Sequence, residues 1–430
     1  MLHPPFGGVI VISRKSTRTK AQNTPVPPYP KIFGTQESPS ILYSFPHAIG
    51  APGIGWTAWN QVTELVALGL EVHLVAASVA RPIAGLASLT TTLAVGRLRI
   101  PHRVIGRDRA LLWHDTVAAR AVCRRRPSVV HTWPLAAVHT LRAARALGIP
   151  GLREAPNTHT AHAFEVVAAE SARLGIRLPA TASHALNETH LALEQSEWDA
   201  AAGILVPSDA VRTSFLERGF EPRRLLSHRY GYRPQGASAA PAARPDRPFT
   251  AIFLGRGDPR KGLHHALDAW LASSASEHGR FLVYGELLPD YRALLADRLA
   301  HESVEVFGFT STPTEALAAA DVLLLPTLEE GSALITYEAQ AAGCVPLVSS
   351  AAGAVLDHGV HGLVHEPGDT RTLTAQLTRL DADPRYLARL RRGSIAHAPS
   401  LTWSVAGVAL LDAYRVATAR TEEGAHVVAE

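Results

Sequence analysis

The sequence predicts an α/β protein of two Rossmann-like halves, each built on a parallel sheet, facing one another across a cleft. Three observations lead there. Short apolar runs at 41–45, 129–131, 251–254, 322–325 and 345–349 suit strands covered on both faces, because they lack the polar alternation of a half-exposed sheet. Glycine-containing turns and helix-length segments alternate with these runs, which is the order of βαβ units. Between the two series, 233–248 (RPQGASAAPAARPDRP) is dense in Pro, Ala and Gly and has no apolar period, as expected of a linker.

At 430 residues the chain exceeds one ordinary hydrophobic core. The expected organisation is a leader at 1–37, where PVPPYP can continue neither helix nor central strand, a first domain at 38–232, the linker at 233–248 and a second domain at 249–400. An amphipathic helix with Trp403, Val405, Val408, Leu411 and Tyr414 on one side follows at 401–418, then a tail at 419–430. Only Cys123 and Cys344 occur, which excludes a disulfide framework and a thiolate zinc site and fits a reducing cytoplasm. No apolar run approaches the roughly 20 residues of a membrane span. A net charge of +4 favours anionic surfaces only weakly, and no basic stripe interleaved with aromatics supports nucleic-acid binding.

Along the chain, strand 41–45 leads into Gly50-Ala51-Pro52-Gly53-Ile54-Gly55 and a helix to Gly69 that places Val62, Leu65, Val66 and Leu68 on its apolar side. Gly53 and Gly55 suit either close approach of backbone to a phosphate or a turn that needs positive φ. Strand 129–131 precedes Trp133-Pro134 and a helix to Gly148. Strand 151–154 then opens into the polar loop 155–160, with His162 and Glu165 on the following helix. Strand 204–206 is followed by Pro207-Ser208-Asp209, where Ser208 or Asp209 caps the next helix, and 225–230 closes the first half. The second half restarts with strand 251–254, the loop GRGDPRKG (255–262) and a helix through Trp270, followed by strands 281–284 and 304–307.

The chemistry concentrates at 321–369. Strand 322–325 ends at Pro326, and Glu330-Gly331-Ser332 is expected to open a short helix that stops at Gly343. Glu330 then lies at the strand's C-terminal end, where open α/β sheets bind ligands, and Glu338 lies eight residues on. Free N–H groups at the helix start favour an anion between them. Arg256 and Lys261, five residues apart, can converge where strand 251–254 ends, in the same domain, one as a bidentate clamp and the other as a mobile charge. Carboxylates for sugar hydroxyls beside cations for phosphate describe a sugar-nucleotide site. No metal is expected there, since no Asp-x-Asp motif sits at a strand end, and His264 and His265 are expected to be solvated helix residues rather than ligands.

These segments resemble the retaining GT-B glycosyltransferases of glycosyltransferase family 4, the glycosyl transferases group 1. The resemblance rests on GRGDPRKG, on EGSALITYE with seven residues between Glu330 and Glu338, and on AQAAGCVPLVSS after it. His131-Thr132-Trp133, PSDAVRTSF from Pro207, YGYRP from Tyr230 and LTWSVAGVALLDAYR from Leu401 extend it over 41–416. It implies a GT-B fold and retaining, metal-independent transfer of a sugar, a hexose by preference, from a nucleotide-sugar donor. The acceptor would be a glycan, a lipid-linked molecule or a small molecule, and no cofactor is needed beyond the donor. It further implies that Arg256 and Lys261 hold the donor diphosphate, Glu330 the sugar hydroxyls and Glu338 the ribose. Gly331 and the backbone N–H groups of Ser332, Ala333 and Leu334 would meet the phosphates, residues 307–310 with Phe309 would line the base, and Gly53 and Gly55 would close on the diphosphate. His159, with His162 as rival, would stand near the reacting sugar, so that Glu330, His159, Arg256 and Lys261 form the implied catalytic set. The terminal helix would cross back onto the first domain. Gly331-Ser332-Ala333 stands where such families often have Gly-Phe-Gly, and the first loop is PGIG in place of paired glycines. A non-catalytic sugar-nucleotide-binding partner and a GT-B epimerase are the alternatives. Arg120, Arg124, Arg125 and Arg126, on a helix with Trp113 and Val117, suit either peripheral contact with anionic lipid at the inner face of the membrane or plain helix C-terminal charge.

Overall fold

The computed structural model describes residues 39–95, 98–99, 105–179, 182, 184–234 and 247–429. The expected leader and most of the expected linker, 235–246, lie outside the described residues. The first sheet comprises β1 (Ser40–Ile49), β2 (Glu71–Val79), β3 (Ser88–Thr91), β6 (Val129–Thr132), β7 (Gly151–Glu154), β8 (Gly203–Val206) and β9 (Leu225–Ser227), with a short antiparallel pair β4 (Ala94–Val95) and β5 (Leu98–Arg99) to one side. The second comprises β10 (Thr250–Leu254), β11 (Arg280–Tyr284), β12 (Val304–Gly308), β13 (Val322–Leu325), β14 (Val345–Ser349) and β15 (Leu363–His365). Their orders are 3-2-1-6-7-8-9 and 12-11-10-13-14-15, with every pairing parallel.

Helices cover both faces. In the first half they are α1 (Ile54–Ala67), α2 (Arg107–Arg125), α3 (Val138–Ala146), α4 (Thr160–Arg173), α5 (Glu188–Ala200) and α6 (Asp209–Leu216). In the second they are α7 (Leu263–Leu271), α8 (Pro289–Leu294), α9 (Ala296–Leu299), α10 (Pro313–Ala318), α11 (Leu334–Ala342), α12 (Thr370–Ala382) and α13 (Pro384–His397). Strand residues alternate between the two cores they create. Phe253, Val322 and Leu324 join Leu267, Trp270 and Leu377 on one face, while Ile252, Leu323 and Leu325 join Leu317, Ala339 and Cys344 on the other. A strand covered on both sides favours apolar residues on both faces, which is why β13 reads as an unbroken apolar run and β14 is apolar up to Ser349.

Strands β3 and β15 escaped the sequence reading because SLTT and LVH carry too little apolar signal, and 225–230 is a strand only at Leu225–Ser227. The expected stop of the terminal helix is corrected: α14 runs from Trp403 to Ala429, through the expected tail. Its added residues are mostly good helix formers, and the one interruption, Gly424, costs only about 1 kcal/mol relative to Ala. This helix does return to the first sheet. Tyr414 OH lies 2.7 Å from His131 Nδ1 on β6, and Gly407 lets α1 pass so close that a Cβ would stand 2.7 Å from that of Glu64. Among the described residues no helix is long and apolar enough to cross a membrane.

Both sheets reverse direction of growth at one point, between β1 and β6 in the first and between β10 and β13 in the second. Loops at the C-terminal ends of those strands diverge there and leave a crevice. The glycine loop 50–55 and the loops after β10 and β13 are therefore placed by topology where a ligand can enter.

Candidate active site

The loop after β10 folds into one 3-10 turn, Pro259–Lys261, capped by Asp258, whose Oδ1 accepts from the Lys261 N–H at 3.2 Å. Gly262 ends it at φ 70°, and a Cβ there would lie 2.1 Å from the Pro326 carbonyl, so glycine alone lets this loop sit on the loop after β13. Two bonds to the Arg260 carbonyl, from the Leu328 N–H (2.8 Å) and Thr327 Oγ1 (3.0 Å), fasten the loops together.

This closure brings Lys261 Nζ against the Glu330 carboxylate. Arg260 Nη1 reaches Glu329 Oε2 at 3.2 Å and Glu330 Oε2 at 3.4 Å. Burial alone would raise the pKa of Glu330, but Lys261 and Arg260 override it and hold the carboxyl down at about 2. Arg260 itself is half-buried; burial works against its charge, but Glu330, Glu329 and Asp258 override it and raise its pKa. Arg256 is exposed and makes no side-chain bond to a described residue. Glu338, on α11, is half-buried and has no hydrogen-bond or ion-pair partner among the described residues, and burial pushes its pKa up to about 7. At the C-terminal ends of β11 and β12, Tyr284 stacks on Phe307 with centroids 4.7 Å apart, and Phe309, just past β12, stands 77% exposed.

The helix expected to open at Glu330 opens at Leu334. One expected phosphate donor is also corrected, because the Ala333 N–H already donates to the Ala352 carbonyl at 3.1 Å. Ser332 Oγ is engaged by Tyr337 OH at 2.5 Å.

The first half meets this site directly. Glu329 is fully buried, and its Oε1 accepts from the N–H (3.2 Å) and Oγ1 (2.7 Å) of Thr158, while His184 Nε2 lies 3.4 Å from its Oε2. A Cβ on Gly331 would meet the Pro156 carbonyl at 1.8 Å, and Ser208 Oγ donates to the Gly331 carbonyl. Beside this seam, at the C-terminal ends of the first sheet's strands, lies a cavity of about 350 Å³ lined in part by His47, Ile54, Leu135, Asn157, His184 and His190. Gly53 borders it through Ile54; it is exposed at φ 77°, with nothing within 4 Å of a Cβ position. Gly55 is instead locked into the turn, its carbonyl accepting from the Gly50 N–H at 2.8 Å.

His159 caps α4, its Nδ1 accepting from the Ala161 N–H at 3.2 Å, and its ring packs 4.5 Å from that of Trp198. Burial, reinforced by Arg218, lowers its pKa to about 4. The ring belongs to an aromatic cluster with Phe215 and Phe220 rather than to the cavity lining; His162 is half-buried on α4. His264 and His265 are not solvated as expected: at 1% and 8% exposure they are buried where α7 meets α4. Arg260, Glu329, Thr158 and His184 were not singled out from sequence. Arg260 and Glu329 stand next to residues that were, and only the approach of the loops selects between neighbours.

The cavity wall is held by buried charge. Arg153 pairs with Glu194 and with Glu197 (3.2 Å), and Glu197 accepts from the N–H groups of Leu135 and Ala137, both at 3.1 Å. Those bonds hold Leu135 at φ 72°, an unusual conformation for a branched residue.

Two parallel sheets with switch points turned to a common seam define a GT-B architecture. The chain superposes on sucrose-phosphate synthase from Thermosynechococcus elongatus with a TM-score of 0.64, at 19% identity, over 88% of this chain and 98% of that one. Anabaena HepE, solved in complex with UDP and glucose, matches with a TM-score of 0.60, at 14% identity, over 87% and 98%. Residues 248–383 match the family Glycosyl transferases group 1. Similar curated proteins include the D-inositol 3-phosphate glycosyltransferase of Streptomyces bingchenggensis, 32% identical over 43% of this chain and 44% of that protein. That of Rhodococcus opacus is 27% identical over 63% and 64%. The chain thus spans less than half the length of the first of these relatives that it matches.

Proposed function

We propose that this protein is a retaining glycosyltransferase that moves a hexosyl group from a nucleotide-sugar donor to a hydroxyl of a glycan, lipid-linked or small-molecule acceptor. The observation that carries this reading is the convergence of Lys261, Arg260 and Glu330 at the switch point of the second sheet, in the half that matches the family. The bond between the anomeric carbon and the diphosphate breaks as the acceptor's hydroxyl oxygen bonds to that carbon, and the negative charge that grows on the departing phosphate lets it take up the hydroxyl proton. Lys261, now balanced by Glu330, can be shared with that phosphate, while the unpaired Arg256 can swing onto it. Glu330 orients sugar hydroxyls, and Glu338, a carboxylate without partners, receives the ribose hydroxyls. The base lies toward Phe307 and Phe309. Residues 38–232 form the acceptor domain with the cavity as its acceptor site, and 249–400 the donor domain. HepE was solved with UDP and glucose, which supports a uridine diphosphate sugar as the first donor to try.

Incubating the protein with a panel of nucleotide sugars in EDTA tests the reading. Nucleoside diphosphate should be released without added divalent cation, because side chains neutralise it, and NMR of the product should show the donor's anomeric configuration. A strict Mg²⁺ requirement or an inverted product overturns the corresponding part, and an epimerised free sugar points to the epimerase alternative.

The location we propose is the cytoplasm, with peripheral contact to anionic membrane through α2. There Arg120, Arg124, Arg125 and Arg126 are exposed, as are Leu112 and Trp113, whereas Val117 packs on the core. Flotation with anionic liposomes at low salt should carry the protein upward, and substitution of Arg120 and Arg124 by Glu should abolish this. Absence of flotation makes the arginines ordinary helix-end charge.

A further inference from the structure

The seam between the two halves holds a second cluster of ligand-type side chains. Glu170 lies in the last turn of α4, and His264 and His265 open α7, about one turn beyond Lys261. One donor atom from each lies within 4.8 Å of the others. His264 Nε2 is 2.7 Å and His265 Nε2 3.6 Å from the same oxygen, Glu170 Oε1. The far nitrogens of both rings are held by hydroxyls, His264 Nδ1 by Tyr291 OH at 2.6 Å and His265 Nδ1 by Thr370 Oγ1 at 3.1 Å. Outer partners of this kind fix a histidine's orientation and leave Nε2 as the coordinating atom. His265 Nε2 is buried and has no hydrogen-bond partner, so the polar atom aimed into the cluster is uncompensated.

We propose that Glu170, His264 and His265 form a divalent-cation site of the zinc type that straps α4 of the first half to α7 of the second. Zinc binds imidazole nitrogen and carboxylate oxygen at about 2.0–2.2 Å, which spaces tetrahedral ligand atoms by roughly 3.3 Å. The 3.6 Å pair is near that spacing already, and the 2.7 Å pair has to open by only about half an ångström. Two imidazoles with one carboxylate favour zinc over magnesium or calcium, and water completes the fourth position. Arg173 competes, since its Nε bonds both Glu170 oxygens at 3.1 and 3.0 Å. Its side chain is 56% exposed and can leave for solvent as the cation enters. An occupied site would hold the halves in the arrangement in which Thr158 meets Glu329.

The test uses the full chain, untagged and stripped with EDTA, titrated with Zn²⁺ by calorimetry and followed by thermal unfolding. One site per chain and a raised Tm are expected. Glu170→Gln and His265→Gln should each weaken binding at least about tenfold. Arg173→Ala, on the surface, should tighten it by removing the competitor, and this variant keeps the proposal testable if either of the others unfolds. Failure to bind Zn²⁺ would leave a hydrogen-bonded His264–Glu170 latch and overturn the proposal. Binding unchanged in all three variants would place the ion on other histidines and overturn it equally.

Discussion

Glu338→Ala should weaken binding of free nucleoside diphosphate by about 1–3 kcal/mol, the range for a buried hydrogen bond to a charged group. Glu330→Ala should retain that affinity while lowering turnover with the nucleotide sugar by about 100-fold, the pattern of an interaction made only in the transition state. The structure sharpens the contrast. Glu330 now neutralises Lys261, so its removal frees a cation for the diphosphate and affinity for the free nucleotide should hold or rise. Glu338 has nothing to neutralise. Because burial raises its pKa to about 7, the carboxylate form, which we propose accepts the ribose hydroxyls, is fully present only above neutral pH. Nucleotide affinity of the parent protein should therefore increase as pH rises through that value, and in Glu338→Gln the dependence should flatten. The sign for stability is opposite. A folded-state pKa above the unfolded one supports the fold below the unfolded value and loses that support as pH rises through the folded one, so Glu338→Gln should be the more stable protein at alkaline pH. Calorimetric titration of each variant, alongside transfer rates, separates these outcomes. Loss of nucleotide affinity in Glu330→Ala with retention in Glu338→Ala would reverse the donor's orientation, and silence of both would make them surface charges.

Arg153→Met should cost about 3–5 kcal/mol of stability, because it strands buried carboxylates without their cation. Glu197 decides the pH dependence. Burial already pushes its pKa up to about 7 against the pull of Arg153, and removal of Arg153 raises it further. A raised folded-state pKa stabilises below the unfolded value and is lost as pH climbs, so the variant should be most compromised near about pH 8 and recover partly near about pH 5. Urea unfolding at the two pH values measures this, and an equal loss at both would mean that Arg153 matters for packing alone. Since Glu197 also holds Leu135 at positive φ on the cavity wall, the variant should lose acceptor affinity before it loses the fold.

Much of this arrangement was legible without coordinates. Strands buried on both faces are dominated by apolar residues, so 322–325 stood out as an unbroken apolar run and 129–131 and 345–349 as nearly so, and glycines and the Ser208-Asp209 cap marked the turns between them. That Lys261 and Glu330 each lie at a strand C-terminus was legible from βαβ alternation, and the strand order that sets β10 beside β13 brings them together. The sequence by itself thus determined the two-sheet architecture and the two strand-end loops that carry these residues, because both depend on local periodicity and on connection rules. Only the tertiary structure decided which member of each adjacent pair does what. Arg260 rather than Arg256 packs on the glutamates, Glu329 rather than Glu330 takes Thr158, and His264 and His265 leave solvent to meet Glu170. Neighbours in a loop differ by one bond in sequence yet point in different directions. Their partners come from another half of the chain, at separations no local pattern encodes.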